Sequence, residues 1–280
     1  MHFLRTTILV AATLVLPAEL LAQETRPPIR LSWKENILTI SAERIPGREL
    51  PVWYMEAYCR PGSTDRSWGE TTIGHRTQLV SASEDGRRLD LACMLNDGVR
   101  VSHEIHARED GVEFRLVATN PTNKTSLAHW AQPCIRVDKF TGRTQTNYLD
   151  KGFVFYDGRL ARMPTPHWAT EARYVPGQVW CPRHVDRNDV NPRPLSKVVP
   201  SNGLIGCFSG DERMIMATAW EPYQELFQGV IVCLHSDFRI GGLKPGESKK
   251  IRGKIYLVDA DVPALLERYK RDFPEQIGSP

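Results

Sequence analysis

The chain has 280 residues, a formal net charge of +3 and a charged-residue content of 25%. Its basic residues are spread along the chain without a Lys/Arg block, which disfavours a nucleic-acid partner. A chain of this length can bury one sizeable core, and its cysteines lack the C-x-x-C spacing of a zinc ribbon.

The first 22 residues have the pattern of a secretory signal peptide. Arg5 precedes an apolar run at 8–16, and Ala22 supplies a small residue before the expected cleavage at Gln23. The apolar run is too short to span a bilayer, and no later stretch is long enough. The sequence therefore predicts a protein that is secreted or periplasmic, with a single domain over residues 23–280 and no membrane span.

The six cysteines leave two alternatives. Export would permit disulfide bonds among them, whereas their positions inside apolar runs such as LACML and VIVCL favour small unpaired core residues. A chain this long does not need disulfide bonds, so the unpaired alternative is favoured. The cysteines are Cys59, Cys93, Cys134, Cys181, Cys207 and Cys233.

Short runs of strand-forming residues, separated by turn residues, follow one another along the chain. The predicted strands cover residues 29–33, 37–41, 52–58, 71–82, 89–95, 99–107, 113–119, 129–138, 153–156, 203–209, 214–220, 229–236 and 251–258. Asn96-Asp97-Gly98 and Asp110-Gly111 are strong hairpin signals, which indicates an antiparallel meander. So many strands exceed the usual size of one sheet, so the predicted fold is all-β, a large antiparallel β-sandwich.

One helix is predicted, at the C-terminal end of the chain. Asp261 can cap it, and the spacing of Leu265, Leu266, Tyr269 and Phe273 places these side chains on one helix face.

Residues 159–200 form a long irregular segment rich in Pro, Trp, Arg and His. Compact domains seldom keep such a segment without a use for it. We interpret it as a rim or lid over a binding cleft that offers Trp168, Trp180, His184 and Arg187 to a ligand, with a solvated surface loop as the alternative.

The stretch at 113–138 shows two strands joined by a polar turn, and its second strand concentrates polar and aromatic residues. His129, Trp130, Gln132 and Arg136 lie close together there, as expected in a polar cleft that binds a ring. Strand alternation places His129 on one face and the other three on the opposite face, so the sequence leaves open which face lines the cleft.

The stretch DGVEFRLVATNPTNKTSLAHW resembles aldose 1-epimerases (galactose mutarotases), where a strand and a polar turn precede a catalytic histidine. Residues 230–257, with LKPGE before the last strand, are similar to the end of the same β-supersandwich. The chain also looks like secreted bacterial members of this superfamily that have no assigned activity. The resemblance implies a carbohydrate ligand, in a superfamily whose members epimerise, hydrolyse, cleave by elimination or only bind.

The resemblance further implies that His129 is the general acid. Mutarotases place a catalytic glutamate on a strand near the C-terminus, but here that strand is VIVCLHSDF, and His235 is the nearest titratable group. His235 shares its strand face with Cys233 and Asp237. Glu225, in the connection before this strand, is a third candidate for acid/base work, although charged loops usually face solvent.

Other residues are candidates for stacking on a sugar ring or for bonding its hydroxyl groups, with ordinary core or loop packing as the alternative. These residues are Arg76, His75, Trp130, Gln132, Arg136, Trp168, Trp220 and Tyr223. No linear spacing specifies a metal site, because His103 and His106 point to opposite strand faces. No cofactor is predicted, and a divalent ion is left open.

The predicted function is a secreted carbohydrate-active enzyme that uses histidine acid/base chemistry on a sugar, oligosaccharide or polysaccharide. It would act as a lyase, hydrolase or epimerase. The alternative is a non-catalytic carbohydrate-binding protein. An enzyme needs at least two titratable side chains that converge in one cleft, whereas a binder needs only a flat aromatic strip. The sequence leaves the reaction type, the sugar and the oligomeric state open.

Overall fold

A computed structural model describes residues 28–276, so the predicted signal peptide at 1–22 lies outside the described residues. The strands are β1 (Arg30–Lys34), β2 (Ile37–Ser41), β3 (Glu49–Cys59), β4 (Thr72–Ile73), β5 (His75–Ala82), β6 (Arg88–Leu95), β7 (Arg100–Arg108), β8 (Gly111–Thr119), β9 (Trp130–Arg136), β10 (Gly152–Tyr156), β11 (Arg159–Arg162), β12 (Gln178–Trp180), β13 (Ile205–Phe208), β14 (Met214–Glu221), β15 (Tyr223–Gln228), β16 (Cys233–Arg239) and β17 (Ser248–Asp259). The α-helices are α1 (Trp68–Thr71), α2 (Asp138–Thr141) and α3 (Val262–Asp272), and 3-10 turns occur at Ser63–Asp65, Leu149–Lys151 and Pro274–Gln276.

The strands form two antiparallel sheets. The front sheet has the order β1-β2-β3-β9-β16-β15-β12, with β4 paired to β3, and the back sheet has the order β11-β10-β13-β14-β17-β8-β7-β6-β5. Their inner faces bury a large apolar core between them. The predicted all-β antiparallel sandwich is confirmed.

The predicted hairpins of the N-terminal half are confirmed. β6 and β7 pair across Asn96-Asp97-Gly98, and β7 and β8 pair across Asp110-Gly111. Gly98 has φ +93°, a conformation that glycine adopts without the steric cost that other residues would meet. Local turn chemistry therefore specifies this part of the back sheet.

The stretch at 113–138 differs from the predicted pair of adjacent strands. β8 belongs to the back sheet and β9 to the front sheet, so residues 120–129 carry the chain from one sheet to the other. The Asn120 side chain fixes this crossing, because its amide donates to the carbonyl oxygens of Lys124 and Leu243 at 2.8 Å each. A polar turn between two strand patterns thus serves as a sheet-to-sheet connection.

The C-terminal helix α3 covers the outer face of the back sheet. Asp261 caps it as predicted, since its Oδ1 accepts a hydrogen bond from the Ala264 backbone N–H at 2.9 Å. Leu265, Tyr269 and Phe273 are buried against aromatic residues of the back sheet, while Leu266 is partly buried. Among residues 28–276, no helix is long and apolar enough to cross a membrane.

All six cysteines are buried and unpaired, in agreement with the favoured alternative.

His103 lies in the core between the sheets, where its Nδ1 is 3.0 Å from the Tyr54 hydroxyl. Burial, aided by the charge of His75, lowers the pKa of His103 from 6.5 to about 3. Between these two pH values the unfolded chain binds a proton that the folded chain does not. The stability that depends on neutral His103 is therefore present above pH 6.5 and is lost as the pH falls toward 3.

We expect the substitution His103→Gln to flatten the acid side of the stability profile. In the wild type, His103 should lower the free energy of unfolding by about 1.4 kcal/mol for each pH unit that the pH falls below the pKa of the unfolded chain. Glutamine can keep a bond to Tyr54 without titrating. Urea unfolding at several pH values measures the slopes, and His106→Gln on the same strand is the control because His106 is partly exposed. Equal slopes in wild type and His103→Gln would contradict the prediction.

Candidate functional site

A row of polar side chains lies on the outer face of the front sheet. β9 pairs with β16 so that Ile135 faces Leu234 and Ala131 faces Phe238, and these side chains all point into the core. Strand alternation therefore sends the side chains between them to the opposite, outer face. This outer row consists of Trp130, Gln132 and Cys134 on β9 and of Cys233, His235, Asp237 and Arg239 on β16.

The irregular segment packs over this row. Residues 159–162 of the predicted segment form β11 of the back sheet, and residues 163–200, here called the cover segment, include β12 of the front sheet. Val179, Val190 and Phe227 form an apolar cluster between cover segment and sheet. The Asn191 side chain donates to Gln132 Oε1 at 3.0 Å. The outer row is consequently buried, although it lies outside the main core.

A cavity of about 270 Å³ remains between sheet and cover segment. The sheet contributes both polar and thiol groups to its wall, and the cover segment contributes Tyr174, Asn191 and Arg193. The lining residues are Glu56, Trp68, Gln132, Tyr174, Asn191, Arg193, Phe227, Gly229, Val230, Ile231, Cys233 and His235. Titratable groups and aromatic rings therefore face the same space.

Glu56 is held in the cavity wall by a chain of amide bonds. Asn191 donates to Gln132 Oε1, and Gln132 in turn donates from Nε2 to Glu56 Oε2 at 3.0 Å. Gln132 is 3% exposed, so both of its amide groups are engaged in a buried place. The carboxylate of Glu56 remains partly exposed and has a fixed orientation.

Cys233, His235 and Asp237 follow one another at alternate positions of β16. Cys233 Sγ lies 3.2 Å from His235 Nε2, and His235 Nδ1 lies 3.8 Å from Asp237 Oδ1. The hydrogen bond from the neighbouring Cys134 thiol, aided by His235, lowers the pKa of Cys233 well below its usual range. Burial raises the pKa of Asp237, and the charge of Glu225 adds to this effect.

Glu225 lies inside strand β15, not in a loop as the sequence indicated. The β15–β16 hairpin places Glu225 opposite Asp237 and Phe227 opposite His235, so Glu225 and His235, ten residues apart in the chain, lie two strand positions apart across the hairpin. Glu225 is fully buried, and burial raises its pKa to about 8. Its two oxygens accept from the Asn191 backbone N–H at 3.0 and 3.2 Å, so Glu225 anchors the cover segment behind the cavity wall.

His129 lies at the other end of the outer row. It precedes the first residue of β9, so strand alternation does not fix its direction, and its side chain reaches the same outer side as Trp130. His129 Nδ1 is 3.4 Å from Asp189 Oδ2, to which Arg239 also donates at 3.2 Å. His129 and His235 are thus on one side of the front sheet, but only His235 lines the cavity.

The predicted binding residues on β9 have different surroundings. Gln132 lines the cavity, whereas Trp130 is buried behind it and donates from Nε1 to Ser63 Oγ at 3.2 Å. Arg136 lies at the end of the strand, 3.4 Å from the Ile231 carbonyl oxygen. Trp168 in the cover segment packs on Trp180 with ring centroids 5.8 Å apart, outside the cavity.

The remaining four predicted binding residues also lie away from the cavity. Arg76 and His75 belong to β5 of the back sheet. Trp220 is 1% exposed in the core, because β14 directs it inward and Gly253 leaves room for its indole. Tyr223 lines a separate recess near His184. Aromatic residues suit both cores and sugar sites, so the sequence pattern did not distinguish the two environments.

Several lining residues were absent from the sequence-based candidates: Glu56, Trp68, Tyr174, Asn191, Arg193 and Cys233. Only Cys233 had a usable signal, since its alternate spacing with His235 and Asp237 places the three side chains on one strand face. Glu56 follows Met55, whose φ of +55° marks an irregularity in β3 where the register with β9 shifts. Because strand alternation is interrupted here, the sequence pattern could not show which face of the sheet carries Glu56.

No family model and no curated protein sequence matches the chain. Solved structures do match, among them a galactose mutarotase-like protein from Lactobacillus casei ATCC 334 with 10% identity, a TM-score of 0.42 and coverage of 82% of this chain and 99% of that one. A galactose mutarotase related enzyme from Lactobacillus acidophilus matches with 8% identity, a TM-score of 0.41 and coverage of 84% and 98%. The alpha-N-acetylgalactosaminidase NagBb from Bifidobacterium bifidum matches with 10% identity, a TM-score of 0.49 and coverage of 90% and 38%.

Proposed function

We propose that the protein is a carbohydrate-active enzyme whose reaction takes place in the cavity between the front sheet and the cover segment. The observation that carries this proposal is that Glu56 and His235, two titratable side chains, line one cavity together with aromatic rings. A protein that only binds sugar needs the rings but not the two titratable groups.

The cavity wall has the chemistry that a sugar requires. Trp68, Tyr174 and Phe227 offer apolar ring surfaces for the C–H face of a sugar. Asn191 and Arg193 add polar groups for its hydroxyl oxygens. The volume of about 270 Å³ is just below the range of about 300–1,000 Å³ usual for ligand pockets, which favours a single sugar unit over a long stretch of polysaccharide.

Glu56 and His235 are the proposed proton-transfer groups. Gln132 orients Glu56, and His235 Nε2 lies 3.2 Å from Cys233 Sγ, so both side chains have defined positions before a sugar enters. Fixed geometry of this kind allows a general acid and a general base to act on one substrate. The reaction would be hydrolysis, elimination or epimerisation.

A panel of monosaccharides, oligosaccharides and polysaccharides tests the proposal. New reducing ends would report hydrolysis, absorbance of unsaturated products would report elimination, and anomer exchange in proton spectra would report epimerisation. We expect one readout to respond to the wild type and to fall in His235→Gln. Saturable sugar binding without turnover would favour the non-catalytic alternative. The absence of both binding and turnover across the panel would contradict a carbohydrate ligand.

The substitution Trp68→Ala should weaken sugar binding about tenfold, because it removes an aromatic wall of the cavity. A tenfold loss corresponds to about 1.4 kcal/mol. Calorimetric titration with the responding sugar measures the loss. Trp168→Ala is the matched control, since Trp168 lies in the cover segment but does not line the cavity. Equal losses in both variants would show that the cavity does not hold the sugar ring.

We also propose that the chain is exported, on the basis of the signal-peptide pattern at 1–22. N-terminal sequencing of the protein recovered from a bacterial periplasm or culture medium should begin at Gln23. Recovery of the intact N-terminus from the cytoplasm would contradict export.

A further inference from the structure

We propose that Cys134, Cys233 and His235 form a zinc site that opens onto the cavity. This inference goes beyond the proposed function, which assigns no metal. It depends on that function only for the use that the ion would have.

The three ligand atoms lie close enough together for a metal ion to be considered. The two sulfur atoms and the imidazole nitrogen all lie within 4.8 Å of one another, and Cys233 Sγ is 3.2 Å from His235 Nε2. Zinc–sulfur and zinc–nitrogen bonds of about 2.3 and 2.0–2.1 Å put neighbouring ligands of a tetrahedral site about 3.5–3.8 Å apart. Shifts of a few tenths of an ångström would therefore bring the sulfur and nitrogen to zinc spacing.

The fold holds these ligands on rigid elements. The pairing of β9 with β16 places His235 opposite Cys134, and Cys233 lies two residues before His235 on the same face. Ligands on paired central strands of a sheet are positioned without the help of a loop. Such support is what a metal site needs to keep its geometry.

The surroundings of His235 provide a second and independent observation. His235 Nδ1 has no hydrogen-bond partner of good geometry among residues 28–276, although its side chain is almost fully buried. A histidine that binds metal through one nitrogen commonly donates its other N–H to a carboxylate. With Nε2 on the ion, Nδ1–H would point toward Asp237 Oδ1, now 3.8 Å away.

Gly229 packs closely against two of the ligands. A Cβ atom at this position would collide with Cys233 Sγ and would lie 3.1 Å from His235 Nε2. Gly229, Cys233 and His235 all line the cavity, so the space beside the ligands connects with it. Three protein ligands and an open fourth position are typical of catalytic zinc sites, in contrast to closed structural sites.

The donor set selects the kind of ion. Two thiolates and an imidazole suit zinc, whereas calcium and magnesium require oxygen ligands. Zinc lowers the pKa of a bound water to about 7. His235 would then serve as a ligand, and this water would take over the proton transfer that the proposed function gives to His235.

Metal content of the full-length chain, purified under reducing conditions and equilibrated with zinc, tests the proposal. We expect about one tightly bound zinc per chain. Cys134→Ser, Cys233→Ser and His235→Gln should each reduce the content to background, whereas Cys207→Ser should retain it because Cys207 is buried in the apolar core. Cobalt substituted for zinc should give a thiolate charge-transfer band that the three ligand variants lack.

Two further variants keep the test decisive if a ligand variant does not fold. Asp237→Asn should weaken zinc affinity about 10–100-fold in competition with a chelator, without removing a ligand. Gly229→Ala should lower the zinc content, because its methyl group would displace Cys233 Sγ without removing any of the three ligand residues, and circular dichroism checks that the variant folds. Wild-type protein without zinc, a stable Cys134–Cys233 disulfide in its place, or unchanged zinc in the ligand variants would each overturn the proposal.

The metal and the sugar are tested separately. Zinc binding without activity on any sugar would contradict the proposed function alone. Sugar turnover by a protein that contains no zinc and is insensitive to chelators would contradict the zinc site alone.

Discussion

Glu56→Gln should lower kcat on the responding sugar by about 10²–10⁴-fold, the loss typical of removing a general acid or base. Glutamine has nearly the same shape as glutamate, and its carbonyl oxygen can still accept the bond that Gln132 donates to Glu56 Oε2 at 3.0 Å. The cavity should therefore keep its form, and KM should change little. Only the ability to exchange a proton is lost.

Steady-state kinetics with purified protein measures this effect. Glu49→Gln is the matched control, since Glu49 begins the same strand but pairs with Lys139 at the surface. We expect the control to retain wild-type kcat. If Glu56→Gln also retained it, Glu56 would be a binding residue at most, and His235 would have no carboxylate partner among the described lining residues.

Trp220→Ala should destabilise the fold by about 3–5 kcal/mol, the usual cost of truncating a buried aromatic residue. The indole packs between Phe114 and Phe238, with ring centroids 5.1 and 4.8 Å away, and its removal would leave a cavity that the sheets cannot close. Sugar affinity should be unchanged at temperatures where the variant is folded. Urea unfolding measures the stability, and Trp220→Leu should fall between wild type and alanine.

The two tryptophan substitutions have opposite expected effects. Trp68→Ala should affect sugar binding more than stability, and Trp220→Ala should affect stability more than sugar binding. A Trp220→Ala variant that has normal stability but no longer binds sugar would show that Trp220 is a binding residue, as the sequence pattern predicted.

The parts of the fold that depend on local chemistry were predictable. Asn96-Asp97-Gly98 and Asp110-Gly111 specify their hairpins through the backbone conformations that tight turns demand, and Asp261 specifies the start of α3. The assignment of strands to sheets is not local. Residues 120–129 cross to the other sheet, where Asn120 bonds to Leu243, a residue far along the chain.

The candidate site was predictable only in part, for a related reason. Alternation showed which side chains share a face within β9 and within β16, but only the pairing of the two strands brings Gln132 and His235 to one cavity. Alternation does not tell which face is the core, so Trp220 was expected in the cleft. Glu56 on β3 and Asn191 in the cover segment are far from β9 and β16 in the chain. The cover segment has no regular spacing of apolar residues, so nothing in the sequence indicated the position of Asn191.

The cavity is lined partly by paired strands and partly by the irregular cover segment, and these two parts tolerate sequence change to different degrees. The proposed proton-transfer groups stand on paired strands whose register is shared with the core, so each is constrained by many neighbours. Tyr174 and Arg193 stand on an irregular cover segment that tolerates insertions and exchanges far better. Divergence among descendants of this chain should therefore accumulate in the cover segment, giving proteins that keep one chemistry and differ in the sugar they accept.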